Sequence, residues 1–271
     1  MNNFINRVNS KKLNPILIEM KYLFLLLFLI NLAISADEKI GGQEIIERLD
    51  KTLTINEGLT RARLSIKRGN HETHFWKVNI FKQGDDVLYT FEVTHRNPVS
   101  KLLSVKRGSK LIYYNVLSGK FFQIEQMERM ENVLHTAFTY LDISHYSYEA
   151  NYSAEDINKL KTESSESSVV KMIPISFPSY KYLELLVDNT DYTPRKLDFT
   201  SPEGLLIKTL KFKYGNLKVR ENNYTSEMSG LTKLEMTDNA TGYTSILEFK
   251  EWDKDVKTDK ILYEMNTMYE K

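Results

Sequence analysis

Apolar and polar positions along the chain follow two alternating periods, and the points where the period changes divide it into elements. Residues 41–56 put Ile45, Ile46, Leu49 and Leu53 on one stripe at helical spacing, which predicts an amphipathic helix. From residue 61 the period becomes two, with Ala62, Leu64 and Ile66 alternating with Arg61, Arg63, Ser65 and Lys67. The chain turns at "RGNHE". Trp76, Val78 and Ile80 then alternate, "QGDD" turns the chain again, and Val87, Tyr89, Phe91 and Val93 continue the alternation, which is the pattern of a β-hairpin. Further strands are predicted around Leu103 and Val105, in "KLIYYNV" and in "KFFQIE".

Helical spacing returns over residues 125–140, where Met127, Met130, Leu134, Phe138 and Leu141 trace one apolar stripe. Residues 146–168 hold no sustained period and contain the low-complexity run "TESSESS". A loop is expected there, with a short helix over 154–160 capped by Ser153. Strands resume at Tyr180 in "YKYLELLVDN", "PRKLDFTS", "GLLIKTLKFKYGN", "GLTKLEMTDN" and "GYTSILEFKEW". Pro194 stands at a predicted strand start, where its missing N–H is tolerated. Leu197, Phe199, Leu206, Leu210 and Phe212 should share one face, with Arg195, Lys196, Lys208 and Lys211 in water. The terminal "DKILYEMNTMYEK" is a last helix or an irregular tail.

No linker composition interrupts this series, so residues 37–271 are expected to form a single α+β domain built on a large antiparallel sheet. That many strands must curl or close to manage their edges, and a helix on the concave side would cover the apolar face. Composition narrows the function. The 271 residues carry 37 basic and 36 acidic side chains, so there is no basic excess of the kind a nucleic-acid binder shows. There is no cysteine, which excludes disulfides, thiolate metal sites, a cysteine nucleophile and an acylated N-terminal cysteine anchor.

Candidate chemistry is sparse. His71 and His74 stand three apart at a strand entry, where a period of two sends them to opposite faces, so no metal site is expected. Ser168-Val-Val-Lys171 has the Ser-x-x-Lys spelling of some acyl enzymes but lacks their companion motifs. Asp85-Asp86, Glu155-Asp156 and Asp253/Asp255 read as solvated turn or loop residues. No phosphate loop, dinucleotide fingerprint or nucleophile elbow occurs. The chain is therefore expected to be no enzyme and to need no cofactor. Asn151, Asn223 and Asn239 lie in Asn-x-Ser/Thr sequons, which matter only in a host that glycosylates.

The N-terminus reads as an address. "MKYLFLLLFLINLAISADE" (residues 20–38) has a lysine, an apolar run of about 13 residues and then small residues, the pattern of a secretory signal peptide. Cleavage would follow Ser35 or Ala36. Residues 1–36 are accordingly an N-terminal extension plus signal peptide, with Met20 the expected start or residues 1–19 an unstructured extension.

Three stretches together resemble the LolA-like outer-membrane lipoprotein-sorting proteins, in the broader uncharacterised branch of that family. They are "GGQEIIERLDKTLTINEGLTRARLSIKR", "LYTFEVTHRNPVSKLLSVKRGSKLIYYNV", and "YTPRKLDFTSPEGLLIKTLKF" followed by "KLEMTDNATGYTSILEFKEW". The likeness runs over about residues 42–264, and segment 146–168 departs from the family pattern. It implies an unclosed antiparallel half-barrel with helices packed on the concave side as a lid. It also implies a carrier: a protein secreted across the inner membrane, periplasmic or associated with the outer membrane, that moves lipoprotein acyl chains or lipids between envelope donor and acceptor proteins. A monomer with no nucleic-acid partner is expected. Trp76, Val78, Ile80, Val87, Tyr89, Phe91 and Leu103 would line the apolar cavity, and Met127, Met130, Leu134 and Phe138 would close it. Without a cysteine to acylate, a soluble carrier fits better than an anchored receptor. The alternative reading is an envelope structural or sensory module of the same fold whose cavity is filled by its own helices.

Overall fold

The period-two segments pair into one sheet. In the computed structural model, which describes residues 40–93, 102–107, 110–115, 118–144, 147–161, 166–175 and 180–256, that sheet has 13 strands. The first six are β1 (Gly58–Arg68), β2 (His71–Gln83), β3 (Asp86–Val93), β4 (Leu102–Arg107), β5 (Lys110–Asn115) and β6 (Lys120–Ile124). They form a meander stepping outward from β1. The chain then crosses to the far edge and returns inward through β7 (Tyr152–Lys161), β8 (Glu166–Pro174), β9 (Tyr182–Asp188), β10 (Pro194–Thr200), β11 (Leu206–Glu221), β12 (Tyr224–Asp238) and β13 (Tyr243–Asp253). The order is β6-β5-β4-β3-β2-β1-β13-β12-β11-β10-β9-β8-β7, so β13 meets β1 in the middle and the sheet stays open, with β6 and β7 as its edges.

Register assigns the two faces. Leu64 lies opposite Trp76 and Leu247, Ala62 opposite Val78 and Phe249, and Leu234 opposite Leu247 and Phe212. The same face continues through Leu210, Leu197, Leu185 and Val170 to β8. All of these residues are buried, and the strands supply the core on this inner face. The opposite face carries a smaller apolar cluster of Leu59, Phe81, Leu88 and Ile112, flanked by Phe121 and Val256.

Helix α1 (Gly42–Leu53) is the amphipathic helix predicted over 41–56, and it buries Ile45, Ile46 and Leu49 completely. It packs on β7, β10 and the one-turn helix α3 (Tyr148–Asn151). Gln43 fastens it to an edge strand: its Nε2 donates to the carbonyl of Tyr152 at 3.3 Å and its Oε1 accepts from the N–H of Ala154 at 3.2 Å. Asp50 caps α3, accepting from Tyr148 N at 2.8 Å, Glu149 N at 2.9 Å and Ser147 Oγ at 2.9 Å.

Three expectations are corrected. Residues 125–140 do not form a continuous helix. Two 3-10 turns, Glu128–Met130 and Val133–His135, lead into α2 (Tyr140–Ile143). Leu134 and His135 take the left-handed backbone, at φ 51° and 60°, and Val133 N donates to Phe138 O at 2.8 Å, closing a tight loop bridged by Asn132 and Thr139. β-Branched and cap-forming residues at 132, 133, 136 and 139 favour that loop over helix. The helix expected over 154–160 is strand β7, paired with β8, and the cap belongs to Ser147 of α3 in place of Ser153. Lys208, expected in water, is buried on the inner face. The N-terminal address (residues 1–36) and the C-terminal segment 259–271 lie outside the described residues.

The strand pair β11–β12 is longer than its sequence pattern suggested. Asn222 and Asn223, both with positive φ, make its two-residue turn, the primed geometry that suits the twist of a hairpin. A register shift at Lys213/Tyr214 and the facing pair Gly215 and Gly230 interrupt it midway. Beyond that point β11 pairs with β13 in parallel, Lys218 to Arg220 against Glu251 to Asp253.

Candidate functional site

Six of the residues expected to line a cavity come together. Trp76, Val78 and Ile80 of β2 lie opposite Val93, Phe91 and Tyr89 of β3, and Val87 follows on the same face. Tyr89 and Phe91 stack at 6.3 Å, and burial raises the Tyr89 hydroxyl far above its ordinary pKa. Each of the six is buried. Leu103 pairs with Thr90 in the register of β3 and β4.

Residues 128–144 lie across the inner face as a plug. Ala137 N donates to Ser245 Oγ at 2.8 Å, and Lys208 Nζ donates to Asp142 Oδ2 at 3.1 Å. Both members of this ion pair are sheltered, with side chains 11% and 6% exposed. Asp142 also accepts from Thr139 N at 2.7 Å while Thr139 Oγ1 accepts from Asp142 N, a reciprocal cap that starts α2. Burial, then the nearby Asp142 carboxylate, raise the Tyr180 hydroxyl well above its usual range. Of the expected lid residues, Phe138 is buried, Met130 and Leu134 are half-buried, and Met127 is 74% exposed. The expected apolar stripe is lost because its helix is not formed.

An open cavity of about 290 Å³ lies at one end of the inner face, lined by none of the residues singled out from sequence for the site. Thr60 and Phe249 form its floor. The end of α1 and the loop after it form one wall, through Lys51 to Asn56. The distal half of the β11–β12 hairpin forms the other, through Leu217, Met228, Gly230 and Leu231, with Tyr214 and Trp252 at the corners. Tyr214 donates its hydroxyl to Pro194 O at 2.8 Å, and Trp252 Nε1 donates to Glu57 O at 2.7 Å, so both rings are fixed. The hairpin is tied down beside them by Arg220 to Glu251 at 3.6 Å and Lys254 to Glu221 at 2.7 Å, and Arg61 of β1 holds the same Glu251 at 2.8 Å. The signal for this wall was present in "NLKVRENNYTSEMSG", where Leu217 and Val219 alternate before an Asn-Asn turn.

The expected absence of acyl-enzyme chemistry at Ser168 and Lys171 has a geometric basis. Both lie in β8, three residues apart, so they point to opposite faces. Ser168 donates to Asn189 and Lys171 pairs with Glu155. No grouping of acidic and histidine side chains able to hold a metal occurs among the described residues, and no helix among them is long and apolar enough to cross a membrane.

An open antiparallel sheet, apolar on one face and partly covered there by its own helices and turns, defines the class: a LolA-like fold. A family model described as "Uncharacterized protein" matches residues 77–270, and the chain belongs to that family. No curated protein matches it in sequence. Among solved structures it is similar to an outer-membrane lipoprotein-sorting protein domain from Vibrio parahaemolyticus, with 17% identity, TM-score 0.63 and coverage of 84% of this chain and 98% of the other. It is also similar to a LolA superfamily protein from Nitrosomonas europaea, with 18% identity, TM-score 0.61 and coverage of 82% and 97%. A DUF1329 family protein from Desulfovibrio piger aligns with 13% identity, TM-score 0.63 and coverage of 80% and 94%. These likenesses establish the fold.

Proposed function

We propose that the protein is a periplasmic carrier that binds lipids or lipoprotein acyl chains on its inner apolar face and moves them towards the outer membrane. The observation that carries this reading is the cavity between α1 and the β11–β12 hairpin, open and apolar on its hairpin side, on the inner face of a LolA-like sheet. Each methylene that leaves water there contributes about 0.8 kcal/mol, so affinity can come from shape and area without a polar anchor. No reaction is part of this reading, and neither cofactor nor metal enters it. Trp76, Val78, Ile80, Val87, Tyr89 and Phe91 form the rigid apolar wall that holds the sheet's shape, with Phe138 pressed over the inner face. The leader at residues 20–36 supports export, and loss of that leader fits a mature chain starting at Ala36 or Asp37.

One observation favours the second reading, a structural or sensory module with a self-filled interior. The plug residues Ala137 and Asp142 already bond to inner-face groups at Ser245 and Lys208. Native mass spectrometry of the protein taken from its own envelope separates the two. The carrier reading expects co-purified lipid or acylated peptide and an N-terminus at residue 36 or 37. A lipid-free protein that also refuses added apolar ligands would leave the self-filled module standing.

A further inference from the structure

The cavity has a size, an asymmetry and a charge state, and together they define a ligand narrower than the proposed function requires. Its volume is about 290 Å³, at the low end of the roughly 300–1,000 Å³ of small-molecule sites. A methylene takes up about as much space as one water molecule's share of the liquid, ~30 Å³, so the cavity holds one chain of about ten carbons and has no room for three. The central inner face offers no extension, because the plug is bonded across it at Ser245 and Lys208.

The two walls differ. The hairpin side is apolar, with Leu217, Met228 and Leu231. The α1 side is mixed: Thr52, Thr54 and Asn56 alternate with Leu53 and Ile55, beside the carbonyl end of a 12-residue helix, where the partial charge is negative. Thr52 Oγ1 already donates to Arg48 O and Thr54 Oγ1 to Asp50 O, each at 2.8 Å, so both hydroxyls have only acceptor capacity left. Lys51 is the one cation among the described lining residues, and it pairs with Glu47 at 2.6 Å. An anionic head would meet a helix C-terminus, and Lys51, 71% exposed and shared with Glu47, would offer it only a solvent-screened cation. A neutral head bearing hydroxyl donors would meet acceptors.

Resting on the carrier reading above, we infer that the cavity is the binding site for a single-chain amphiphile with an uncharged, hydroxyl-bearing head, of the monoacylglycerol class. The acyl chain fills the cavity along Leu217, Met228 and Phe249, and the head lies outside it at the open mouth, beside the half-buried Thr52 and the exposed Thr54 of the α1 end.

Gly230 gives a clean test. It faces Gly215 in the hairpin and lines the cavity, and a Cβ added there meets no atom within 4 Å. Gly230→Phe therefore fills the cavity from a site without positive φ. Calorimetric titration of the full mature chain with monodecanoylglycerol, below its aggregation threshold, should show one site per chain. Binding should weaken by about tenfold or more in Gly230→Phe. Met228→Trp, at a side chain 38% exposed, is the second variant should the first fail to fold, and it should weaken binding likewise. Decanoate binding as tightly as the monoglyceride would overturn the head-group assignment. A triacylated lipopeptide that binds wild type and Gly230→Phe equally, with the monoglyceride silent, would overturn this site while leaving the carrier reading intact. Failure of all three ligands would overturn both.

Discussion

Asp50 holds three donors at the start of α3 from a position in α1, and it shows how a single side chain joins one helix to another. Asp50→Ala leaves those donors without their acceptor and should lower stability by about 1–2 kcal/mol, the usual range for a lost cap, measured by urea unfolding. Asp142 is a costlier position. Asp142→Ala strands the buried Lys208 ammonium and should cost about 3–5 kcal/mol. Adding Lys208→Met should recover part of that loss, since an apolar side chain suits the rings of Tyr180 and Phe199 nearby. A double variant no more stable than Asp142→Ala alone would show that the plug is held by packing and not by the pair. The alternation of Leu197, Phe199, Leu210 and Phe212 was legible because strand period alone sets it, whereas Leu206, expected with them, is exposed beyond the register shift at Phe199/Thr200. The same period puts Lys208 on that face, opposite Phe199, and what was not legible is the partner that allows its burial, 66 residues away on a different element. An apolar pattern carries no record of such a partner.

Elements read well from sequence where one local rule decides them. Helix α1 and strands β1 to β3 follow from period alone, and Pro194 opens β10 as its missing N–H requires. The helix expected over residues 125–140 failed because i, i+3, i+7 spacing is compatible with helix without enforcing it. Thr139, Asn132 and the left-handed pair at 134–135 outweighed it. The turn between β9 and β10 shows a local rule with a measurable consequence. The N–H of Thr190 and then the Arg195 guanidinium hold the Asp188 carboxyl below its ordinary pKa, and the hydroxyl and N–H of Thr193 do the same for Asp191. A carboxyl whose folded-state pKa is depressed contributes stability that is complete above its unfolded pKa of about 3.9 and is lost as pH falls through the folded value. Unfolding free energy should therefore be insensitive to these two groups from pH 7 to 5 and should decline below about pH 4. The double change Asp188→Asn with Asp191→Asn should flatten that decline in equilibrium unfolding. An unchanged slope would assign the acid limb to other carboxylates, such as Glu248, whose pKa is lowered by its bond to Lys250.

At the scale of the whole sheet, the cavity exists because a hairpin too long for its neighbours folds back onto β13. The register shift at Lys213/Tyr214 and the Gly215–Gly230 pair mark the place, and the parallel pairing with Glu251 to Asp253 fixes it. Periodicity could reveal the strands but not this closure, which depends on a contact between segments 30 or so residues apart. Plug and cavity are separate structures, since no residue of 125–144 lines the cavity. Stability and binding should therefore come apart. A ligand that binds only the folded protein stabilises it by about 2.7 kcal/mol at a hundred times its Kd. For a domain of this size that raises Tm by about 5–10 °C. Monodecanoylglycerol should produce this rise in the wild type. Asp142→Ala should start from a lower Tm and show the same rise, because its defect lies in the plug. Gly230→Phe should start near the wild-type Tm and show none. A rise retained in Gly230→Phe but lost in Asp142→Ala would move the ligand from this cavity to the plug, displacing its bonds to Ser245 and Lys208.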